Sequence, residues 1–221
     1  MSIQTRGARS RRADDTRETI LSAAERLFAE HGIASVSHRQ IIEAAGQGNN
    51  AAVAYHFGTK ADVARAIEDK HRVRIESMRV RMLDEIGDTP ELRDWVACLV
   101  QPLTDHLAAI GNPSWYARFA AQAVTDPAYR GVIIQQEFES PTLPHIVEQI
   151  SRALPAKMHV ERGIMMRTML IYTCAEFERE LAHGTPSPWS DWSAAAHGLI
   201  DAIVALMQGP VTRRVPAASR S

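Results

Sequence analysis

The stretch from residue 37 to residue 62 constrains the fold of this chain more than any other part of the sequence. It reads SHRQIIEAAGQGNNAAVAYHFGTKAD, in which two short segments with apolar residues at helical spacing flank a turn rich in Gly and Asn. A helix of about two turns is not stable alone, so the second segment must pack against its neighbours. Two short helices joined by a tight turn are typical of a helix-turn-helix, which places its second helix in the DNA major groove.

The first of these segments carries its own start and stop signals. Ser37, followed three residues later by Gln40, predicts a capping box in which each side chain accepts a hydrogen bond from the other residue's backbone. Gly46 predicts the end of the helix, because glycine readily adopts the left-handed conformation that follows a C-cap. The apolar face between these signals consists of Ile41, Ile42, Ala44 and Ala45.

The second segment, residues 51 to 57, predicts the helix that reads DNA. Val53 and Phe57 are the expected anchors of this helix in a small core. Gly58 predicts its end, and Thr59 is the expected cap of a long helix that follows, running to about Glu85.

A further helix is predicted ahead of this motif. Asp14, Asp15 and Thr16 are candidate caps for a helix that runs to about Glu30. Three helices of this size around one small core match a DNA-binding domain of the homeodomain-like kind. The expected buried stripe of the first helix is Ile20, Ala23, Ala24, Leu27 and Phe28.

These residues together resemble a known family. ILSAAERLFAEHGIASVSHRQIIEAAG followed by YHFGTKADV is similar to the TetR family of bacterial transcriptional regulators, over roughly residues 16 to 66. Three runs in the family's order carry the resemblance: Ala-x-x-Leu-Phe-x-x-x-Gly, Ile-x-x-Ala-Gly and Tyr-His-Phe-Gly-Thr-Lys. The chain departs from the family pattern in the turn, where six residues from Gln47 to Ala52 stand in place of the usual five.

The resemblance implies an all-α chain of about nine helices with four parts. Residues 1–14 are expected to be a flexible basic arm, either a solvated tail or a segment that reaches the DNA groove or backbone. Residues 15–60 are the expected helix-turn-helix domain, and residues 61–209 the helical domain that binds an effector and dimerises. Residues 210–221 are an expected flexible tail. The expected homodimer forms through the last two helices, at about 157–183 and 190–208, because the last one carries a wide apolar surface.

The expected partner of the first domain is double-stranded DNA. Asn pairs bidentately with adenine and Ala contacts the thymine methyl, which suits the start of the recognition helix to base edges. Residues beside it are expected to hold phosphates and to fix the register of the domain. The predicted DNA-binding residues are Ser37, Arg39, Gln47, Asn49, Asn50, Ala51, Tyr55, His56, Thr59 and Lys60.

The second region is expected to bind a small and largely apolar effector. Methionine and aromatic side chains form adaptable apolar cavities, although a stripe of them at helical spacing is more often plain core. A few polar side chains are candidates for orienting the effector. The candidate ligand-binding residues are Trp115, Arg118, Phe119, Phe138, Met165, Met169 and Glu176.

The distribution of charge agrees with a DNA-binding N-terminal part. The formal net charge is −1, but residues 1–81 hold 14 Lys and Arg against 10 Asp and Glu, a balance of +4. Residues 82–221 hold 11 against 16, a balance of −5. The phosphate field of DNA would therefore orient the chain with its first domain towards the duplex.

The sequence gives little support to other classes of protein. The sequence has no apolar run of membrane-spanning length, so no membrane partner is expected. It lacks paired metal-ligand spacings, a P-loop, a dinucleotide fingerprint and a Gly-x-Ser-x-Gly elbow, so no metal, cofactor or catalytic residue is expected. Cys98 and Cys174 lie far apart in apolar helices, which suits a reduced cytoplasmic protein. We expect a repressor released from a palindromic operator by its effector, with a DNA-binding protein without a ligand switch, or a helical enzyme, as the alternatives.

Overall fold

The computed structural model describes residues 3–48, 52–154 and 160–210, although the side chains of residues 3–12, 133 and 136–138 are not part of that description. Within these ranges the chain forms ten α-helices and no strand, which confirms the all-α prediction. The count exceeds the expected nine because the Pro-containing region from 127 to 153 divides into two helices. The helices are α1 (Ile3–His31), α2 (His38–Ala44), α3 (Ala52–His56), α4 (Lys60–Glu85), α5 (Leu92–Ile110), α6 (Tyr116–Thr125), α7 (Arg130–Glu139), α8 (Leu143–Arg152), α9 (Val160–His183) and α10 (Trp192–Gln208).

The first helix begins eleven residues earlier than predicted. Asp14, Asp15 and Thr16 lie inside α1 rather than at its N-terminus, and most of the expected flexible arm is helical. Residues 3–13 are rich in Arg and Ala, which are strong helix formers, and nothing in the segment except Gly7 strongly opposes a helix. The arginine side chains of this segment lie outside the described residues.

The first three helices and the start of α4 surround one small core. Ile20, Phe28, Ile42 and Val53 are all buried there, as is Val63 from α4. The predicted stripe on α1 is confirmed, since its members are buried against α2, α4 and α6. Phe28 stacks on Phe119 of α6, with the ring centroids 6.3 Å apart, so α1 also contacts the larger helical domain.

The long helix α4 connects the DNA-binding end of the chain to the rest of the molecule. It begins after Thr59 and ends at Glu85, as the sequence predicts. Lys70 on this helix pairs with Glu18 of α1 at 2.7 Å, which ties the two helices together along their length. Because α4 is continuous, a displacement of its middle is carried to its first turn beside α3.

The remaining helices form a bundle in which α10 packs on α5 and α9, and α6 packs on α9. Phe177 of α9 is fully buried and meets Trp192 of α10 edge to face at 4.7 Å. Pro90 precedes Glu91, which is the N-cap of α5. Asp191 caps α10, because its carboxylate accepts from the Ala194 N–H at 2.8 Å.

In the ranges that the structure describes, no helix combines the length and the apolar character that crossing a membrane requires.

Candidate nucleic-acid interface and effector cavity

Helix α2 is fixed at both ends by the hydrogen bonds that the sequence predicts. The Ser37 N–H donates to Gln40 Oε1 at 2.8 Å, and the Gln40 N–H donates to Ser37 Oγ at 3.3 Å. At the other end, the N–H groups of Gly46 and Gln47 donate to carbonyls in the last turn, at 3.1 Å each. Gly46 has a φ of +64°, so this end is a Schellman motif and needs glycine at that position. The first helix of the motif is therefore rigidly placed before DNA arrives.

Three predicted DNA contacts lie on or beside α2. The Ser37 hydroxyl is engaged with Gln40 in the capping box, and the Gln47 amide donates to the Ala45 carbonyl at 3.4 Å. Arg39 is exposed, and its Nε pairs with Glu43 at 2.7 Å. Such an exposed pair is weak and screened by solvent, so the Arg39 guanidinium can exchange Glu43 for a phosphate at little cost.

Helix α3 buries one face and presents the other to solvent. Val53 is fully buried and Phe57 packs at the edge of the core, which confirms both predicted anchors. The Arg17 guanidinium of α1 lies over the Phe57 ring at 4.8 Å from its centroid. Tyr55 is 84% exposed and meets the His56 ring edge to face at 5.1 Å. A large aromatic side chain that is this exposed is accessible to a large ligand such as DNA.

The turn ahead of α3 contains the predicted base-reading residues. Asn49, Asn50 and Ala51 lie outside the described residues, so their contacts with bases remain predictions from the sequence.

The start of α4 is held by a second capping box. The Thr59 N–H and hydroxyl both donate to Asp62 Oδ2, at 3.0 and 2.6 Å, and the Asp62 N–H donates back to Thr59 Oγ1 at 3.2 Å. These hydrogen bonds, first that from the Thr59 hydroxyl, lower the pKa of the Asp62 carboxyl below its ordinary value. The Thr59 hydroxyl therefore serves the helix start, and this leaves it little capacity to hold a phosphate.

Lys60 lies in the first turn of α4, where the sequence places it, and it has partners within the protein. Its Nζ donates to the carbonyls of Ile33 and Ala34, at 3.2 and 2.9 Å, in the connection between α1 and α2. The ammonium thus joins the start of α4 to the base of the helix-turn-helix. An ammonium has three N–H donors, so one stays available for a phosphate beside the first turn of α4.

A cavity of about 390 Å³ lies between α4, α5, α6, α8 and α9. That volume falls in the range of about 300–1,000 Å³ that small-molecule sites occupy. Leu99 and Leu103 line it from α5, and Met166, Leu170 and Ile171 from α9. The larger part of the wall is therefore apolar, in agreement with the class of effector that the sequence suggests.

The polar part of the wall comes from one face of α4. Glu68, Arg72, Glu76 and Arg79 all line the cavity, together with Ile75. The other four residues lie four, seven, eight and eleven positions after Glu68, which places all five on one side of the helix. None of the four charged residues is among the sequence-based candidates for effector binding. Their pattern is that of a solvated helix face, and only the covering helices α5, α8 and α9 turn it into a cavity wall.

Glu76 is the most heavily bonded group of this wall. Its Oε1 accepts from the Thr142 hydroxyl at 2.5 Å and from the Thr142 N–H at 3.1 Å. Its Oε2 accepts from the Ser140 hydroxyl at 3.0 Å and from Arg79 Nη1 at 2.5 Å. Burial lowers the pKa of Arg79, and the neighbouring Glu76 carboxylate opposes that shift. The carboxylate thereby fixes the segment between α7 and α8 on α4 and uses all of its acceptor capacity inside the protein.

A buried chain of polar groups runs from the cavity to the DNA-binding end. The Tyr116 hydroxyl donates to Glu68 at 3.1 Å, and the Tyr116 ring stacks on His71 with centroids 3.9 Å apart. His71 Nδ1 lies 2.8 Å from His106 Nε2, and its Nε2 lies 3.1 Å from the Glu25 carboxylate of α1. Burial, followed by the neighbouring His71, lowers the pKa of His106 to about 4, so His106 is neutral at pH 7. The chain connects α1, α4, α5 and α6 through groups that cannot move without losing partners.

Comparisons with known proteins agree with this architecture. The family model described as "Bacterial regulatory proteins, tetR family" matches residues 20–67, the segment that contains the capped α2, the exposed face of α3 and the start of α4. The HTH-type transcriptional repressor AcnR of Corynebacterium glutamicum is 23% identical over 205 residues, which cover 90% of this chain and 94% of that protein. Residues 20–67 therefore belong to the DNA-binding domain of the TetR family of bacterial transcriptional regulators. The chain is thus a DNA-binding regulator, and its relatives are regulators rather than enzymes.

Comparison with solved structures extends the likeness to the whole fold. NalD, the secondary repressor of the MexAB-OprM multidrug efflux pump in Pseudomonas aeruginosa, superposes with a TM-score of 0.58 at 18% identity. The match covers 89% of this chain and 98% of that one. PfmR from Thermus thermophilus gives a TM-score of 0.55 at 18% identity, over 88% of this chain and 96% of the other. At these identities the similarity concerns the fold, including the helical domain that encloses the cavity.

Of the seven candidate effector-binding residues, the six whose side chains are described do not line the cavity. Phe119 is fully buried against Phe28 between α6 and α1, and Trp115 is the half-buried N-cap of α6. Met165 is 53% exposed on the outer side of α9, whereas the neighbouring Met166 lines the cavity. The side chain of Phe138 lies outside the described residues. The remaining described candidates, which are Arg118, Met169 and Glu176, also lie off the cavity wall.

Arg118 and Glu176 have structural partners instead. Arg118 is buried and its Nε donates at 3.0 Å to Glu178, a fully buried carboxylate of α9. Glu178 also accepts from the Ser114 hydroxyl at 2.8 Å and from two N–H groups in the first turn of α6. Glu176 is exposed and pairs with Arg179. The sequence shows that α6 and α9 carry charged residues at positions 118 and 176, but it does not show which residue each of them pairs with.

The described residues contain no group of three His, Cys, Asp or Glu side chains arranged to hold a metal ion.

Proposed function

We propose that this TetR-family regulator is a homodimeric repressor that leaves a palindromic operator when a small effector occupies the cavity. The observation that carries the proposal is the continuity of α4. Its first turn follows the DNA-reading helix α3 directly in the chain and binds the connection between α1 and α2 through Lys60, and its middle forms the charged wall of the cavity. The name of the C. glutamicum relative, a transcriptional repressor, supports repression over activation. A protein with this role works on chromosomal DNA, so we expect it in the cytoplasm.

The proposed DNA interface combines residues of different roles. Tyr55 and Arg39 are the exposed side chains best placed to meet phosphates, with His56 beside Tyr55. Asn49 and Asn50 are the proposed base readers, since the asparagine amide matches the adenine edge. Ser37 and Thr59 position these groups by capping α2 and α4, and Lys60 does so through its contacts with carbonyls. Each of the three also has a smaller proposed role in contacting the phosphate backbone of DNA. Gln47 and Ala51 complete the set on either side of the Asn pair.

The proposed dimer uses the outer face of α9 together with α10. Val160, Ile164, Met165 and Tyr172 are exposed and lie on one stripe of α9. The apolar face of α10, by contrast, is covered by the chain's own α5 and α9, including Trp192 and the Ile residues that follow it. A stripe of large apolar side chains that no described residue of the same protomer covers favours association. Two-fold symmetry would then present two α3 helices to successive major grooves.

The proposed switch works because the effector fits one arrangement of the helices better than the other. An effector that fills the cavity pushes on the face of α4 that carries Glu68 and Glu76, and α4 carries the shift to Thr59 and Lys60. The buried chain from Tyr116 through His71 to Glu25 gives a second connection to α1. Binding can shift the equilibrium only as far as the effector prefers one arrangement of these helices over the other.

The DNA interface is tested by charge removal with a matched control. Arg39 and Arg152 each form an exposed ion pair with a Glu four residues away on the same helix, but only Arg39 lies beside α3. A duplex is first selected from a random library with the unaltered protein. We expect Arg39→Ala to weaken binding to that duplex and to reduce the slope of log K against log [salt] by about 0.9, the value for one phosphate contact. We expect Arg152→Ala to change neither quantity.

Failure to enrich any duplex would refute the proposed function as a whole. Equal effects of Arg39→Ala and Arg152→Ala would refute the placement of the interface on α2 and α3.

The dimer is tested by sedimentation at micromolar concentration. Met165→Glu places a charge in the exposed stripe of α9, and Val73→Glu places the same charge on an exposed apolar position of α4. We expect Met165→Glu to shift the protein towards monomer and Val73→Glu to leave the dimer intact. A monomeric unaltered protein contradicts the proposed assembly.

A further inference from the structure

The charged wall of the cavity contains N–H donors that have no acceptor among the described residues. Arg79 is buried, and Glu76 binds its Nη1, but among the described residues no acceptor meets its Nε–H. The Nε–H of Arg72, which also lines the cavity, likewise has no acceptor in the described part of the chain. Buried donors are almost always paired in folded proteins, and one left unpaired destabilises the fold. Two such donors on the wall of one cavity point to a ligand that supplies acceptor oxygens.

The carboxylates of the same wall are already occupied. Glu76 accepts four hydrogen bonds from Arg79, Ser140 and Thr142, and Glu68 accepts from the Tyr116 hydroxyl. Glu76 divides its hydrogen bonds among Ser140, Thr142 and Arg79. It therefore binds only Nη1 of the Arg79 guanidinium and leaves the Nε–H without an acceptor among the described residues. Three arginines and two glutamates line the cavity, and Arg72 also pairs with Asp69 at 3.2 Å. Guanidinium donors in a wall whose carboxylates are already occupied favour an anionic ligand over a cationic one.

The opposite walls of the cavity are apolar and of limited size. Leu99 and Leu103 on α5, and Met166, Leu170 and Ile171 on α9, face the arginines across the cavity. A volume of about 390 Å³ corresponds to roughly thirteen waters at about 30 Å³ each, which suits a ligand of about ten to fifteen non-hydrogen atoms. Such a ligand needs an apolar body and a single polar end.

We propose that the effector is an amphipathic organic acid whose carboxylate binds Arg79 at its Nε edge while its apolar chain lies against α5 and α9. This inference rests on the proposed effector-gated function and names the chemical class that the cavity takes. A planar guanidinium matches a carboxylate in a way that an alcohol or an amine does not. Binding of the acid acts directly on α4 at Arg79, which lies nineteen residues along the helix from Lys60.

The test compares three probes with the same ten-carbon chain on the unaltered full-length protein. Decanoate, decan-1-ol and decyltrimethylammonium differ only in the polar end, and their dissociation constants are measured by calorimetry at pH 7.5. We expect decanoate to bind at least about tenfold more tightly than either of the others, the difference that one charge-assisted hydrogen bond supplies. Equal or tighter binding of decan-1-ol or of the ammonium compound, or no measurable binding of decanoate, overturns the inference.

Variants on α4 locate the carboxylate. We expect Arg79→Gln to reduce decanoate affinity about tenfold or more and to leave decan-1-ol affinity nearly unchanged. The control is Arg81→Gln, which alters an exposed arginine two residues along the same helix and should change neither affinity. Arg79 is buried beside Glu76, so if Arg79→Gln does not fold, the three-probe comparison on the unaltered protein still decides. An equal loss for both probes in Arg79→Gln overturns the inference.

These results are distinguishable from failure of the proposed function. If the protein enriches a DNA duplex and a bulky side chain in the cavity changes its affinity, the effector-gated regulator stands whatever decanoate does. If no duplex is enriched, the proposed function fails even when decanoate binds.

Discussion

The buried pair between Arg118 and Glu178 gives a stability prediction with a defined size. The Glu178 carboxylate is 1% exposed and accepts from Arg118 Nε at 3.0 Å. Arg118→Met removes the guanidinium but leaves the donors from Ser114, Ala117 and the residue-118 N–H in place. The carboxylate then remains buried with its charge uncompensated. Breaking a buried pair from one side costs about 3–5 kcal/mol of unfolding free energy.

The measurements are equilibrium unfolding in urea and thermal unfolding, both followed by circular dichroism at one fixed protomer concentration, because dimerisation makes apparent stability depend on concentration. At about 2–4 °C per kcal/mol for a chain of this size, the melting temperature should fall by roughly 6 to 20 °C. The matched control is Arg179→Met, which breaks the exposed pair with Glu176 on α9 and should cost less than about 1 kcal/mol.

Two results would refute this reasoning. A cost for Arg118→Met no larger than that for Arg179→Met would show that the buried pair does not hold α6 on α9. A fall in decanoate affinity in folded Arg118→Met, greater than its loss of stability explains, would return Arg118 to the effector site that the sequence suggested. We expect Arg118→Met/Glu178→Leu to be more stable than Arg118→Met, because no unpaired charge is then buried.

Three further predictions concern single side chains. Lys60→Met removes the donor to the Ile33 and Ala34 carbonyls, so amide exchange in α2 should become faster and stability should fall by about 1–3 kcal/mol; unchanged exchange in α2 contradicts it. The pKa of His106 is about 4 when folded against 6.5 ordinarily. The unfolded chain therefore binds the extra proton between these values, and stability, complete above pH 6.5, should fall as pH decreases to 4; His106→Asn should flatten this fall, and an identical profile counts against it. Burial raises the pKa of the Cys174 thiol, so iodoacetamide at pH 8 should label it only after unfolding, and rapid labelling of the native protein would disprove this.

The helix-turn-helix could be predicted from the sequence because its signals are local. The capping boxes at Ser37 and Thr59 and the glycine at 46 act within a few residues of one another, and the structure places all three as expected. Lys60 shows the limit of such reasoning. Its carbonyl partners lie 26 and 27 residues earlier in the chain, and no local pattern indicates that contact.

The cavity could not be predicted because it depends on how distant helices pack. On α9 the apolar side chains run nearly all around, so the sequence did not distinguish Met165, which points outwards, from Met166, which lines the cavity. On α4 the polar residues resembled a solvated face, although Glu76 and Arg79 are buried by α5 and by the segment between α7 and α8. Phe119 is a candidate for the effector site on the sequence alone, but it fills the core between α1 and α6.

The start of α1 shows a different limit. Asp14, Asp15 and Thr16 are good caps, yet the helix continues through them because the residues on both sides favour helix. A cap signal marks a helix start only where the preceding segment cannot extend the helix.

The central claim, that cavity occupancy controls DNA binding through α4, is tested most directly without any ligand. Ala120 of α6 lines the cavity, whereas Ala109 of α5 is exposed and does not. The measurement is the affinity for the selected duplex, by fluorescence anisotropy, of Ala120→Trp and Ala109→Trp, each checked for an intact fold by circular dichroism. We expect Ala120→Trp to weaken DNA binding about tenfold, within the usual range of allosteric coupling, and Ala109→Trp to bind like the unaltered protein. An unchanged affinity in a folded Ala120→Trp would contradict the claim.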